Sequence, residues 1–262
     1  TKVIDMHDMF YDMPLLKSLD VSALNTSRVT DMHDMFSYLG ATKLNLANFD
    51  TSNVTNMRRM FAYSDLTALD LSNFNTSNVT DMSHMFLASD FLSTIVLGEM
   101  TKLNSSIYLE PLKEGPEYTG NWAYIKDMEG NKPSDPLSLS DDELMNYDGS
   151  YPGTYVWEKK QGQPVTIQYV DEDGKNLAET TELTGLFGEP YEAHAKEIEG
   201  YLLDEEQLPE NRTGTFTDQK QMVTFIYKKA PVKAGDVTVR YEDEKGNELS
   251  EVIIMSGNVG DS

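Results

Sequence analysis

A chain of 262 residues is long enough for two or three modules, each able to bury a core of its own. Its 44 Asp and Glu against 21 Lys and Arg give a formal net charge of -23, which repels phosphate backbones and anionic membranes, so neither nucleic acid nor a membrane is an expected partner. The absence of cysteine excludes disulfides, Cys-ligated zinc and thiol nucleophiles, and no apolar run approaches the roughly 20 residues that a membrane span needs.

In chain order the first signal is a repeat. VIDMHDMF at 3–10 returns as VTDMHDMF at 29–36, VTNMRRMF at 54–61 and VTDMSHMF at 79–86, and Val29, Val54 and Val79 set a period of 25. Between these segments a second block recurs, containing Leu19 and Val21, Leu44 and Leu46, Leu69 and Leu71, then Ile95 and Leu97. Each is read as a short strand whose two apolar residues share one face while the residue between them points outward. The first block is read as helical, because Met82, Met85 and Phe86 follow the i, i+3, i+4 rule with Thr80 as N-cap. Repetition of the methionines at one phase assigns them to the core rather than to a metal or haem. Asn25-Thr26-Ser27, Asp50-Thr51-Ser52 and Asn75-Thr76-Ser77 are read as turn punctuation, their side-chain oxygens satisfying turn amides. His7, His33 and His84 are read as a solvated outer face that shares no single column.

These residues resemble the BspA-type leucine-rich repeats of bacterial surface proteins over about the first 100 positions. The resemblance implies an α/β leucine-rich-repeat-like solenoid over 1–103, a ladder of strands on one face, and a role in adhesion or host interaction. Thr1 falls inside a repeat, so further units, a signal peptide and a cell-wall anchor are expected outside this sequence.

After Met100 the period fails, and a solenoid end left uncovered would expose its apolar layer. Residues 104–160, with Trp122, Tyr124, Tyr147, Tyr151, Tyr155 and Trp157 among Gly, Pro and Asp, are read as an irregular C-terminal cap. Capping is the preferred role for these rings over sugar stacking. Ser140 and Glu143 are placed to form the capping box of a short helix.

Beyond the cap, Val165, Ile167 and Tyr169 alternate before a turn at Asp173-Gly174, a hairpin signal. Val237, Val239, Tyr241, Asp243 and Gly246 repeat Val165, Ile167, Tyr169, Asp171 and Gly174 at an offset of 72, and Gly260 repeats Gly188. Val223, Phe225 and Tyr227 read as a closing strand. VTIQYVDEDGKNL and VTFIY resemble the opening and closing of the MucBP (mucin-binding protein) domain. That implies β-rich, ubiquitin-like β-grasp modules at 161–230 and, truncated, at 236–262. Asp171, Asp173 and Gly174 match the start of an EF-hand loop, but Asn176 stands where its glycine belongs and Lys245 replaces Asp173 in the second copy, so a hairpin turn is preferred to calcium.

No nucleophile elbow, HExxH or phosphate loop is present in the sequence, and no carboxylate pair can be assigned to one cleft. The chain is therefore read as a non-catalytic, monomeric, extracellular adhesin of the bacterial cell surface, without cofactor or metal, binding a host-cell surface protein or a mucin-type glycoprotein. The expected contact face is the outward side of the strand ladder: Ser18, Asp20, Lys43, Asn45, Ala68, Asp70, Thr94 and Val96. The alternative is a structural stalk or spacer that displays an N-terminal domain lying outside this sequence.

Overall fold

The computed structural model describes residues 2–110, 115–134 and 137–259, so Thr1 and Gly260 lie outside the described residues. The chain divides into two compact units, 1–160 and 161–262, and each has its own hydrophobic cluster.

In the first unit the repeats form four coils stacked in register, with parallel bridges joining Asp5 to Asp31, Asp31 to Asn56 and Asn56 to Asp81. The expected helices are absent from them. The amides of Met32, Asp34, Phe36 and Tyr38 donate to the carbonyls of Asn56, Arg58, Met60 and Ala62 on the next coil, while those of Met35 and Ser37 close turns onto Met32 and Asp34. Met57, Arg59, Phe61 and Tyr63 repeat the outward set, donating to Asp81, Ser83, Met85 and Leu87. An α-helix keeps its amides for its own carbonyls and has none to offer a neighbour. The turns close because two residues per coil are left-handed, for example Arg59 (φ 53°) with Tyr63 (φ 56°) and His84 (φ 59°) with Ala88 (φ 52°). Thr80 is no N-cap; its hydroxyl donates to the Thr55 carbonyl of the preceding coil at 3.0 Å. The α/β class is thus corrected to a β-rich one.

The inward residues are those expected. Met32, Met35, Met57, Met60, Met82 and Met85 are all buried, and Phe10, Phe36, Phe61 and Phe86 stack along the coils with centroids 5.6, 5.8 and 5.9 Å apart. The second block is less regular than its sequence pattern. Strand β1 (Ala68–Leu71) pairs in parallel with β2 (Thr94–Leu97), and a single bridge from Lys43 to Ala68 reaches the second coil. No strand is described at 18–21 or 44–46. There the asparagine side chain of the following coil takes over, Asn48 Nδ2 donating to the carbonyls of Ser22 (3.1 Å) and Leu24 (2.9 Å).

The segment after the coils is not irregular: it extends the sheet. Strands β3 (Tyr118–Asp127), β4 (Leu137–Leu139) and β5 (Gly153–Lys159) join the ladder in the order β1-β2-β5-β3-β4. Thr154, Val156 and Glu158 alternate with Tyr155 and Trp157, so one face of β5 continues the coil core. Gly153 sits where a Cβ would lie 2.0 Å from the Lys126 carbonyl, which fixes glycine at this crossing of β5 and β3. Trp122, Tyr147 and Tyr155 are buried in the cluster that holds the Met and Phe layers, and the Trp122 indole donates to Asp141 at 2.9 Å. Helix α1 (Asp141–Met145) opens with the Ser140–Glu143 capping box.

In the second unit β6 (Val165–Asp171) pairs antiparallel with β7 (Thr181–Leu183) and parallel with β11 (Gln221–Lys229), which pairs antiparallel with β9 (Tyr201–Leu203). Strands β8 (Pro190–Glu192) and β10 (Thr213–Thr215) form a separate pair. Val165, Ile167, Tyr169, Val223, Phe225 and Tyr227 fill the core. The last hairpin, β12 (Val237–Val239) with β13 (Ile253–Met255), repeats the β6–β7 register, Val237 facing Met255 as Val165 faces Leu183. In both copies one aspartate closes the turn: Asp171 accepts from the Lys175 amide and Asp243 from the Asn247 amide, each at 2.8 Å. The Asp171 carboxylate of the EF-hand-like stretch thus closes the hairpin turn.

Asp204, 3 % exposed, accepts from Gln207 (2.7 Å) and from the Lys228 ammonium (3.0 Å). Both hold its carboxyl below the ordinary value of 3.8. The stability this contributes is complete above that value and is lost as pH falls through the lower folded one. Resistance of the second unit to urea should therefore fall below about pH 4, and Asp204→Asn should flatten that acid dependence.

Candidate functional site

The outward side of the ladder is assembled from three sources. Ala68 and Asp70 come from β1, and Thr94 and Val96 lie beside them on β2. Lys43 reaches them by its bridge to Ala68. Ser18, Asp20 and Asn45 lie on irregular backbone, all exposed. The expected residues thus fall into one ordered patch, Lys43 to Val96, preceded by a less regular edge.

The structure adds positions that the sequence reading assigned to the cap. Thr94 faces Val156 and Val96 faces Thr154 across the β2–β5 pair. Val156 in turn faces Ala123 of β3, and Ala123 faces Ser138 of β4. Glu158 stands at the margin, accepting from the hydroxyls of Thr119 (2.6 Å) and Ser138 (2.9 Å). The alternation in TYVWEK carried this signal, since a strand with buried Tyr155 must turn Thr154 and Val156 the other way.

Three acidic or amide residues of the patch have a local task. Asp20 accepts from the Ser22 amide (2.9 Å), Asn45 from Ala47 (3.1 Å) and Asp70 from Ser72 (2.9 Å). The Ser22 hydroxyl and amide hold the Asp20 carboxyl below its ordinary range. These side chains close Asx turns, so their recurrence in the sequence reports backbone geometry as well as surface chemistry.

The histidines on the turn blocks form a different group. The three do not share one column, as expected, but two of them do: His7 and His33 are each the fifth residue of their eight-residue motif, and their rings stack with centroids 4.6 Å apart and planes 3° apart. His84 is a sixth residue and falls in the column of Asp8, Asp34 and Arg59. Each stacked ring bonds through Nδ1 to an aspartate of its own coil, His7 to Asp5 at 2.6 Å and His33 to Asp31 at 2.7 Å. The amide and ring of His7 hold the Asp5 carboxyl below its ordinary value.

Two known families account for parts of the chain. Residues 164–228 and 236–262 match the MucBP domain, and residues 1–100 match a family described as Mycoplasma protein of unknown function, DUF285. The chain is 45 % identical over 111 residues to internalin J of Listeria monocytogenes serotype 4b, and 35 % identical over 113 residues to internalin I of the same strain. Each match takes in 42 % of this chain but only 12 % of internalin J and 6 % of internalin I. None of the described helices is long and apolar enough to cross a membrane.

Proposed function

We propose that the chain is part of an extracellular, non-catalytic adhesin of the bacterial cell surface that binds a host glycoprotein or surface protein. The observation that carries this reading is the presence, in one chain, of MucBP matches and of likeness to internalin J. Residues 1–103 are taken as a leucine-rich-repeat solenoid of BspA type, with 104–160 closing its end. Residues 161–230 are taken as a MucBP module of β-grasp kind, a reading supported by the parallel pairing of its first strand, β6, with its last, β11. Residues 236–262 are taken as the beginning of a second such module. The chain acts as a monomer.

The contact face in this proposal is the outward sheet from Lys43 to Val96, extended by Thr154 and Val156. Apart from Lys43 its side chains are short and its backbone is held by strand pairing, so a partner meets a largely preformed surface and little ordering cost opposes binding. Replacing Asp20 or Asp70 by Lys would disturb the Asx turns along with the charge. Asp70→Asn keeps an acceptor for the Ser72 amide and removes only the charge.

The face is tested by binding of the chain to immobilised mucin and to cultured host cells. Lys43→Glu combined with Val96→Arg should lower affinity by about tenfold or more, equal to about 1.4 kcal/mol, with the thermal midpoint unchanged. Asp70→Asn should produce a smaller loss in the same direction. Unchanged binding in the double variant would remove this face from the account.

A further inference from the structure

We propose that His7, His33 and Asp8 form a binding site for a borderline divalent transition-metal ion, of which zinc is the reference case. The two imidazoles come from adjacent coils and Asp8 stands next to His7 in the chain. One donor atom from each of the three lies within 4.8 Å of the others. Asp8 is held there by its backbone, whose amide donates to the His33 carbonyl at 3.1 Å.

The tautomer follows from the partners. A carboxylate can only accept, so the Nδ1 atoms facing Asp5 and Asp31 carry protons, which leaves Nε2 as the nitrogen of each ring that a metal would take. A metal-ligating histidine with its other nitrogen bonded to a carboxylate is the arrangement that fixes ring orientation and raises ligand basicity. Asp31 is itself held from the third coil, where the Asn56 amide donates to its second oxygen at 3.1 Å. The site is thus buttressed across three coils.

Two imidazole nitrogens and one carboxylate oxygen favour zinc, nickel or copper over magnesium or calcium, which prefer all-oxygen shells. Ligands on one tetrahedral zinc sit about 2.0–2.2 Å from the metal, so the donors must close in from their present spacing. The His7 side chain is 46 % exposed and that of His33 29 %; because the rings stack with planes 3° apart, they must turn out of that stack for both Nε2 lone pairs to meet one ion. Their exposure leaves the remaining coordination position to water.

Zinc titrated into the full chain by calorimetry should fill one site, with magnesium and calcium giving no such isotherm. His7→Ala and His33→Ala should each weaken zinc binding by about tenfold or more, and Asp31→Asn by about tenfold, while His84→Ala and His194→Ala leave it unchanged. The variants' metal-free thermal midpoints serve as the folding control. Nitrogen-detected NMR should show the Nε2 resonances of His7 and His33 moving on zinc addition. Absence of a zinc isotherm, equal affinity in His7→Ala, or a shift confined to other histidines would overturn the proposal.

Discussion

Phe61→Ala should destabilise the first unit by about 3–5 kcal/mol, as expected for truncating a buried phenylalanine. Phe61 is 1 % exposed and lies between Phe36 and Phe86, with its plane within 5° of the first and 9° of the second. Truncation removes two ring contacts, each worth about 0.5–1.5 kcal/mol beyond burial. The cavity opens in the middle of a stack whose coils are held in register by hydrogen bonds on both sides, so the walls cannot collapse into it without breaking that register. Phe10→Ala should cost much less, because Phe10 is only partly buried and has one stacked neighbour, Phe36, among the described rings. Denaturant unfolding of residues 1–160 checks both values. Equal losses at the two positions would mean that the stack is not a cooperative element.

Thr51→Val should cost about 1–3 kcal/mol although it preserves shape, because it strips partners from two part-buried backbone groups. The Thr51 hydroxyl, 1 % exposed, donates to the Asn75 carbonyl at 3.1 Å and accepts from the Asn75 amide at 2.8 Å. Thr26 does the same to Asp50, and Thr76 to Lys102. This threonine therefore clips each coil to the next. Thr51→Ser keeps the hydroxyl and should retain most of the stability, so the Val–Ser difference isolates the two hydrogen bonds.

These threonines show what the sequence made legible and what it hid. The period of the valines placed Met57, Met60 and Phe61 on the inside, and they are inside. Yet the spacing of Met82, Met85 and Phe86 is produced equally well by two overlapping turns and by a helix, because both return a side chain to the same side after three or four residues. Inward spacing alone cannot separate them. What separates them is the destination of the amides, which depends on a neighbouring coil. For the same reason Thr51 read as turn punctuation alone, whereas it bonds forward to Asn75, and Asn73, whose Nδ2 bonds back to the Phe49 carbonyl at 2.8 Å, gave no sequence signal.

The candidate site was legible to a similar depth. The alternation around Leu69 and Leu71 correctly set Ala68 and Asp70 outward. That the face continues into β5 and β3 was hidden because the chain returns to the ladder only after about 50 intervening residues, and pairing across such a separation leaves no local pattern. The His7–His33 stack was legible from the motif alignment, since position five is histidine in both copies. Its aspartate partners are two residues upstream in each.

The central claim, that this chain engages a host surface ligand, is tested most directly by measuring binding of the full chain, of 1–160 and of 161–262 to mucin glycoprotein and to cultured host cells. The separate hydrophobic clusters of the two units support using them apart. The account predicts saturable binding by the full chain, retained by 1–160 and lowered by the Lys43→Glu, Val96→Arg pair. No binding by the full chain or by either unit to any of these surfaces would contradict it and leave the chain a stalk.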